Sequence, residues 1–249
     1  MSSDKIRIEK DTSVLVLTGA GVSAESGIPT FRASPDGLWE NHRIEDVASP
    51  EGFAEDPALV WRFYSERRAK AKTVEPNAGH RALVALEEKL GERFLLATQN
   101  VDGLHLRAGS SRVIEIHGSL FKTRCSRCER APFDDDAVYG DNEVPGCARC
   151  ANDGAVGLLR PHIVWFGEML DQRDLHTISR FMSNATKLIF IAAGTSGAVY
   201  PAAGFVQTAR RFGAHTVLVN QDEADNGGYF HRWVKGRSGE ILPELFEIE

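Results

Sequence analysis

Four short apolar runs constrain the fold most: SVLVLTGAG (Ser13–Gly21), RFLLATQN (Arg93–Asn100), KLIFIAAGTS (Lys187–Ser196) and HTVLVNQD (His215–Asp222). Runs of this length, apolar throughout and bounded by glycine or polar residues, read as parallel strands buried on both faces. Helical periodicity fills the gaps, in HRALVALEEKL (His80–Leu90), LHTISRFMSN (Leu175–Asn184) and AAGFVQTARRFG (Ala202–Gly213). Strands alternating with helices imply an α/β fold with a Rossmann-like, doubly wound parallel sheet. Such sheets bind ligands beyond the carboxyl ends of their strands. Those ends are GAG, TQNVD, GTSG and NQD here, all glycine-rich or polar, so function is expected along one edge.

Two stretches interrupt the alternation. Residues 35–73 read as helix and loop, with Asp56 placed to cap a helix and Pro57 to take its first position. Residues 121–157 are polar, cysteine-bearing and loop-like. Together they imply a smaller lobe, helical over 35–73 and metal-binding over 121–157, inserted into a Rossmann-like lobe spanning about 11–34, 74–120 and 158–245. A chain of 249 residues is long enough for both lobes as one catalytic domain. The formal net charge of −6 argues against binding nucleic acid or an anionic membrane through bulk charge. No run approaches the roughly 18 apolar residues of a membrane span. The opening MSSDKIRIEK has no apolar or Arg/Ser-rich stretch, which makes a cytoplasmic location the expectation.

All four cysteines lie within 26 residues, as Cys125-x2-Cys128, 18 intervening residues, then Cys147-x2-Cys150. Two such knuckles can set four thiolates around one Zn²⁺. Two disulfides are the alternative, but they belong to small secreted domains. With four thiolates no position remains for water, so the metal is expected to be structural. Zinc ribbons can bind nucleic acid, and Arg124, Arg127, Arg130 and Arg149 lie near the knuckles. No aromatic residues interleave them for stacking, however.

Gly19-Ala20-Gly21-Val22-Ser23-Ala24 follows a strand, as a dinucleotide fingerprint does, with Ala24 in the place of the third glycine. A plain strand-to-helix turn remains the alternative. No ribose-binding acid follows about 20 residues on, and the loop runs instead into ESGIPTFRASPDGLW, unlike a dehydrogenase. Asn100 and Asp102 could close an Asx turn, and a histidine at a strand end, such as His117, is usually structural. Val60, Tyr64, Arg67 and Ala71 share one helical stripe. By spacing alone, Arg67 beside Arg68, Lys70 and Lys72 fits a solvated basic face.

GAGVSAESGIPTFR (Gly19–Arg32), TQNVDGLH (Thr98–His105), the His-Gly of IEIHGSL (Ile114–Leu120), the two CxxC pairs, LRPHIVWFGE (Leu159–Glu168), GTSGAVYPAA (Gly194–Ala203) and Asn220 resemble the sirtuins, NAD-dependent protein deacylases. The resemblance covers nearly the whole chain, in the family's order. One departure is Gly197, where many relatives carry a second serine.

The resemblance implies NAD as co-substrate, one structural Zn²⁺ per chain, and acylated lysines of proteins as partners. The ADP-ribose would move onto the acyl carbonyl oxygen, releasing nicotinamide and 2'-O-acyl-ADP-ribose. It implies cofactor contacts from Gly19, Ala20, Gly21, Ala24, Glu25, Phe31, Arg32, Gln99, Asn100, Asp102, Gly194, Thr195 and Ser196. Asn220, Asp222 and Ser238 would frame the adenosine half. Asn100 and His117 would be catalytic, His117 as the base on a ribose hydroxyl. Val164 and Phe166 would lie along the substrate peptide, which would add as a strand toward Gly197–Tyr200.

FYSER matches the branch in which a Tyr and an Arg face into the acyl tunnel, a role that falls to Tyr64 and Arg67. A guanidinium and a phenol suit a terminal carboxylate, which implies removal of succinyl and malonyl groups as well as acetyl. Ala33 is consistent with room for a longer acyl chain. Two rivals are ADP-ribosyl transfer to protein and, further off, an NAD-dependent dehydrogenase. The first would label protein from the adenine half of NAD; the second would change the reduced-nicotinamide absorbance.

Overall fold

The computed structural model describes residues 5–30, 38–39 and 42–249. Its centre is a six-stranded, all-parallel sheet. In spatial order the strands are Arg232–Lys235, His215–Asn220, Lys187–Ala193, Thr12–Thr18, Phe94–Thr98 and Val113–Glu115. In chain order this is 6-5-4-1-2-3, the doubly wound Rossmann arrangement. The order in which the chain adds strands reverses between Thr12–Thr18 and Lys187–Ala193, which pair in parallel from Lys187↔Thr12 to Ala193↔Thr18. The crevice at that switch point is where such sheets take their ligands.

The central strands are buried on both faces, which is why they read as unbroken apolar runs rather than alternating ones. One face packs on the helix Ala78–Leu90 and the C-terminal segment through Leu83, Leu86, Leu90 and Leu242. The other packs on the helices Gln172–Asn184 and Phe205–Arg211 through Ile178, Met182, Phe205 and Val206. Asn77 caps the first of these helices in a capping box with His80, and Asp171 caps the second by accepting from Arg173 N–H at 2.8 Å.

A third core belongs to the smaller lobe. It joins the helix Pro57–Thr73 to the cysteine module through Val60, Trp61, Phe63, Leu120, Cys125 and Ile163. Asp56 caps that helix, accepting from Leu59 N–H at 2.9 Å, and Pro57 opens it as expected. The metal-binding segment is less loop-like than its sequence suggests. Gly118–Cys125 forms a long strand pairing antiparallel with Phe133–Asp134 and Leu159–Ile163, and Ala148–Asn152 is helical. This sheet runs through residues 120–121 and resumes at Leu159.

The charge run on Pro57–Thr73 does not form one solvated face. Arg68 is 1% exposed, ion-paired to Asp135 at 3.2 Å, with Nε donating to the Leu120 carbonyl at 2.7 Å. It fastens the helix to the cysteine lobe. Lys72 pairs with Asp136 at 3.1 Å nearer the surface.

Candidate active site and metal centre

At the switch point the loops after the first and fourth strands cross in contact. Gly19 N–H donates to the Ala193 carbonyl at 3.0 Å, and Gly21 N–H to the Gly194 carbonyl at 2.8 Å. A Cβ on Gly19 would stand 2.8 Å from the Gly194 oxygen, and one on Gly21 2.8 Å from the Gly194 Cα. The glycines are therefore required by the mutual approach of the two loops, whatever ligand they also admit.

A cleft of about 730 Å³ opens above this crossing. One part of its lining comprises Gly19, Ala20, Gly21, Gln99, Asn100, Asp102, Gly194, Thr195, Ser196, Asn220 and Asp222. Its other end holds His117, Val164, Phe166, Tyr64 and Arg67. Three sequence-expected residues fall outside the lining: Ala24, Glu25 and Ser238. Glu25 instead accepts from Gly239 N–H at 2.8 Å, holding the turn Ser238–Ile241 against the glycine loop. Ser238 itself is buried in that turn. Phe31, Arg32 and Ala33 lie outside the described residues.

The polar groups of the cleft are oriented by one another. Asn100 is 8% exposed; its Nδ2 donates to the Gly19 carbonyl at 3.1 Å and to Ser23 Oγ at 3.0 Å. Gln99 Nε2 donates to Thr195 Oγ1 at 3.0 Å. Asp102 Oδ1 accepts from Leu104 N–H at 2.9 Å, and burial raises its carboxyl above the usual range. Asn220 Nδ2 donates to the carbonyls of Thr195 at 3.0 Å and Asp222 at 2.9 Å, tying the ends of two strands together.

His117 Nδ1 sits 3.1 Å from the Gln99 carbonyl. A carbonyl can only accept, so Nδ1 carries the hydrogen and Nε2 keeps its lone pair. Burial lowers the imidazole pKa, and the bond to Gln99 opposes this only in part. The geometry is that of a neutral base with a fixed tautomer.

Beneath Asn100 lies a buried polar network that sequence reasoning left unassigned. Ser23, His80, His105, Thr18 and Thr98 are all at most 3% exposed, and Thr18 Oγ1 bonds both Thr98 Oγ1 at 2.8 Å and His105 Nε2 at 2.9 Å. The imidazoles of His80 and His105 pack at 4.7 Å between centroids, tilted by 54°, with pKa values lowered by burial to about 4 and about 3. Both are neutral in use. No sequence spacing links these five positions, because two strands, ending at Thr18 and Thr98, and three helices, carrying Ser23, His80 and His105, bring them together only in the fold.

At the far end, Tyr64 is 3% exposed, and its oxygen accepts from Trp165 Nε1 at 3.0 Å. Arg67 is half-buried; Nη1 donates to the Phe63 carbonyl at 2.9 Å, and the guanidinium lies 3.2 Å from the Phe63 ring centroid. Glu66 and Lys70 reach the same cleft, and the helical i+3 spacing from Arg67 could have indicated Lys70. The N–H groups of Val164, Trp165 and Phe166 are all engaged within the chain, by the His117 carbonyl, Glu168 Oε2 and the Ala48 carbonyl.

In the cysteine module all four Sγ atoms lie within 4.8 Å of one another. The Cys125–Cys150 and Cys128–Cys147 pairs are separated by 3.6 and 3.8 Å. Four thiolates about 2.3 Å from one Zn²⁺ stand roughly 3.8 Å apart, whereas a disulfide is about 2.05 Å, so the donors fit tetrahedral zinc. The ion would hold the two halves of the lobe together.

Fold and cleft together define a class: two-lobed α/β proteins that bind NAD at the switch point of a Rossmann-like sheet and brace the smaller lobe on a four-cysteine zinc module. Within that class the chain belongs to the Sir2 family, whose pattern matches residues 19–201. It is 49% identical over 236 residues to an NAD-dependent protein deacylase of Salmonella typhimurium, covering 94% of this chain and 82% of that protein. It is 48% identical to one from Pasteurella multocida, covering 94% and 96%. A crystal structure of a Sir2 homologue in complex with NAD superposes with a TM-score of 0.83 at 40% identity, covering 97% of this chain and 88% of that one. Among the described residues no helix is long and apolar enough to cross a membrane.

Proposed function

We propose that this Sir2-family protein, an NAD-dependent protein deacylase, removes carboxyl-terminated acyl groups, succinyl and malonyl, from protein lysines, and accepts acetyl as well. The observation that carries the reading is the placement of Tyr64 and Arg67 in the same cleft as the glycine loops and His117. An arginine whose guanidinium reaches a half-buried cleft finds its best match in a carboxylate, which accepts two parallel charge-assisted hydrogen bonds. Acetyl-lysine offers no such group.

In this reading Gly19, Ala20 and Gly21 with Gly194, Thr195 and Ser196 receive the phosphates and ribose of NAD, and Asn220 and Asp222 the adenosine half. Asn100 and Asp102 meet the nicotinamide end. NAD supplies the ADP-ribose that leaves with the acyl group. His117 Nε2 takes the proton of a ribose hydroxyl so that its oxygen can attack the acyl carbon, and the Gln99 carbonyl holds the ring for that transfer. Val164 and Phe166 flank the peptide. Phe31 and Arg32, outside the described residues, keep the NAD contacts that the resemblance implies.

Side-by-side kinetics on acetyl-, malonyl-, succinyl- and glutaryl-lysine versions of one peptide test the proposal. Acidic acyl groups should give the higher kcat/KM, and Arg67→Met should lower their turnover far more than that of acetyl. Equal losses on both would refute the carboxylate reading.

A further inference from the structure

Trp165 stands beside the phenol of Tyr64, and both residues line the cleft. Its indole N–H donates to the Tyr64 oxygen at 3.0 Å. An indole nitrogen is a donor only, so the Tyr64 oxygen is the acceptor and the phenol hydrogen must point elsewhere. Tyr64 and Trp165 both line the cleft, so a hydrogen that the phenol cannot give to the indole is available to a ligand there. We propose that Trp165 is a positioning residue for acyl selectivity: by occupying an acceptor position of the Tyr64 oxygen, it leaves the phenol hydrogen for the terminal carboxylate of an acidic acyl group. The inference rests on the reading in which Tyr64 and Arg67 receive that carboxylate.

The indole is itself held on every side. Trp165 is 2% exposed, and the Arg160 guanidinium lies 3.2 Å from its ring centroid. Arg160 grips Glu168 with two nitrogens, at 2.7 and 3.0 Å, and donates to the Ile163 carbonyl at 3.0 Å. Glu168 also accepts from Trp165 N–H at 2.9 Å and from Arg124 at 2.8 Å. Phe53 packs on the ring at 5.5 Å between centroids. A side chain that only filled space would need none of this polar clamp. The ion pair fixes residues 163–168, and with them the direction of a single N–H.

Trp165→Phe keeps an aromatic ring and deletes that N–H. Losing the aim of one neutral hydrogen bond should lower the succinyl-to-acetyl ratio of kcat/KM about five- to tenfold, chiefly through the KM for the succinyl peptide. In a Tyr64→Phe background the same change should leave the ratio where Tyr64→Phe alone puts it, since the aimed group is gone. Equal losses on the two peptides, or a ratio change that adds to that of Tyr64→Phe, would overturn the inference. Replacing Trp165 by 3-benzothienylalanine keeps the bicyclic shape without the N–H and must give the same ratio change; an unchanged ratio there is also a refutation. If Arg67→Met collapses the ratio and neither Trp165 replacement moves it, carboxylate recognition stands and the indole's role falls. If the unaltered protein shows no preference for succinyl over acetyl, both fall.

Discussion

Replacing Arg68 by methionine should cost about 3–5 kcal/mol of folding stability, the range for removing one partner of a buried ion pair. The structure sets the case at the full effect. Arg68 is 1% exposed, and its guanidinium serves Asp135, the Leu120 carbonyl and, at 3.4 Å, Thr123 Oγ1. Methionine retains most of the aliphatic stem, so the loss comes from unpaired acceptors rather than from a cavity. At roughly 2–4 °C per kcal/mol for a chain of this size, Tm should fall by about 6–20 °C.

The pH dependence has a definite sign. Burial alone would raise the Asp135 carboxyl, but bonds from Thr123 and Ala137 and the Arg68 charge hold it below its ordinary 3.8. A depressed carboxyl contributes stability that is present above 3.8 and lost as pH falls through the lower folded value. The gap in Tm between the two proteins should thus narrow in acid. Thermal unfolding at neutral pH and below pH 3.8 reads both quantities. A fall of under about 3 °C at neutral pH, or a gap indifferent to acid, would refute the buried-fastener reading of Arg68. The next residue should behave in the opposite way. Arg67→Met, at a half-buried position, should change stability by under about 1 kcal/mol. Its kcat/KM on succinyl-lysine should fall about 10- to 150-fold, the equivalent of 1.5–3 kcal/mol for hydrogen bonds to a charged group.

Because burial lowers the His117 pKa, the neutral base persists below 6.5, and the acid limb of kcat/KM should lie under that value; a limb above it would count against His117 as the base. His117→Tyr should give a folded, zinc-loaded protein without deacylase turnover. Metal analysis should return one zinc per chain, and a strong chelator should lower Tm as the cysteine lobe loosens; chelation without effect would exclude a structural role. Gly197→Ser, which restores a residue common among relatives, should cost about 1–3 kcal/mol from backbone strain alone, since φ at Gly197 is +71°. The new Cβ would also meet Asn226 Oδ1 at 2.1 Å, so an unchanged Tm would refute the requirement for glycine.

What the sequence revealed, and what it hid, divides by the range of the interactions. The four main strands, the capped helices and the zinc knuckles announce themselves because each is local: an apolar run, an Asp-Pro pair, a CxxC spacing. The edge strand Arg232–Lys235, at four residues, is too short for any period to show, whereas the short strand Val113–Glu115 is marked by its place just before His117. Strand Gly118–Cys125 pairs only through a register shift between Ser119 and Thr123, which breaks the alternation that would have marked it.

The site follows the same rule. Gly19, Gly21, Asn100, Asp102 and His117 sit at strand ends, so topology alone delivers them to one edge. The pair Arg67 and Arg68 is the harder case. Sequence gives two adjacent cations on one helix, and a basic solvated face is the natural reading of such a run. Helical geometry separates neighbours by about 100° around the axis. One side chain is thereby sent toward the nucleotide cleft, while the other enters the cysteine lobe to meet Asp135, 67 residues further along. Which arginine takes which course depends on where Asp135 and Leu120 stand, and those positions are fixed by the sheet and the cysteine module. If acid preference sits at position 67 and lobe stability at 68, exchanging the two effects by mutation should be impossible. A double Arg67→Met/Arg68→Met variant should then show losses that simply add, because the two guanidinia share no partner among the contacts described here.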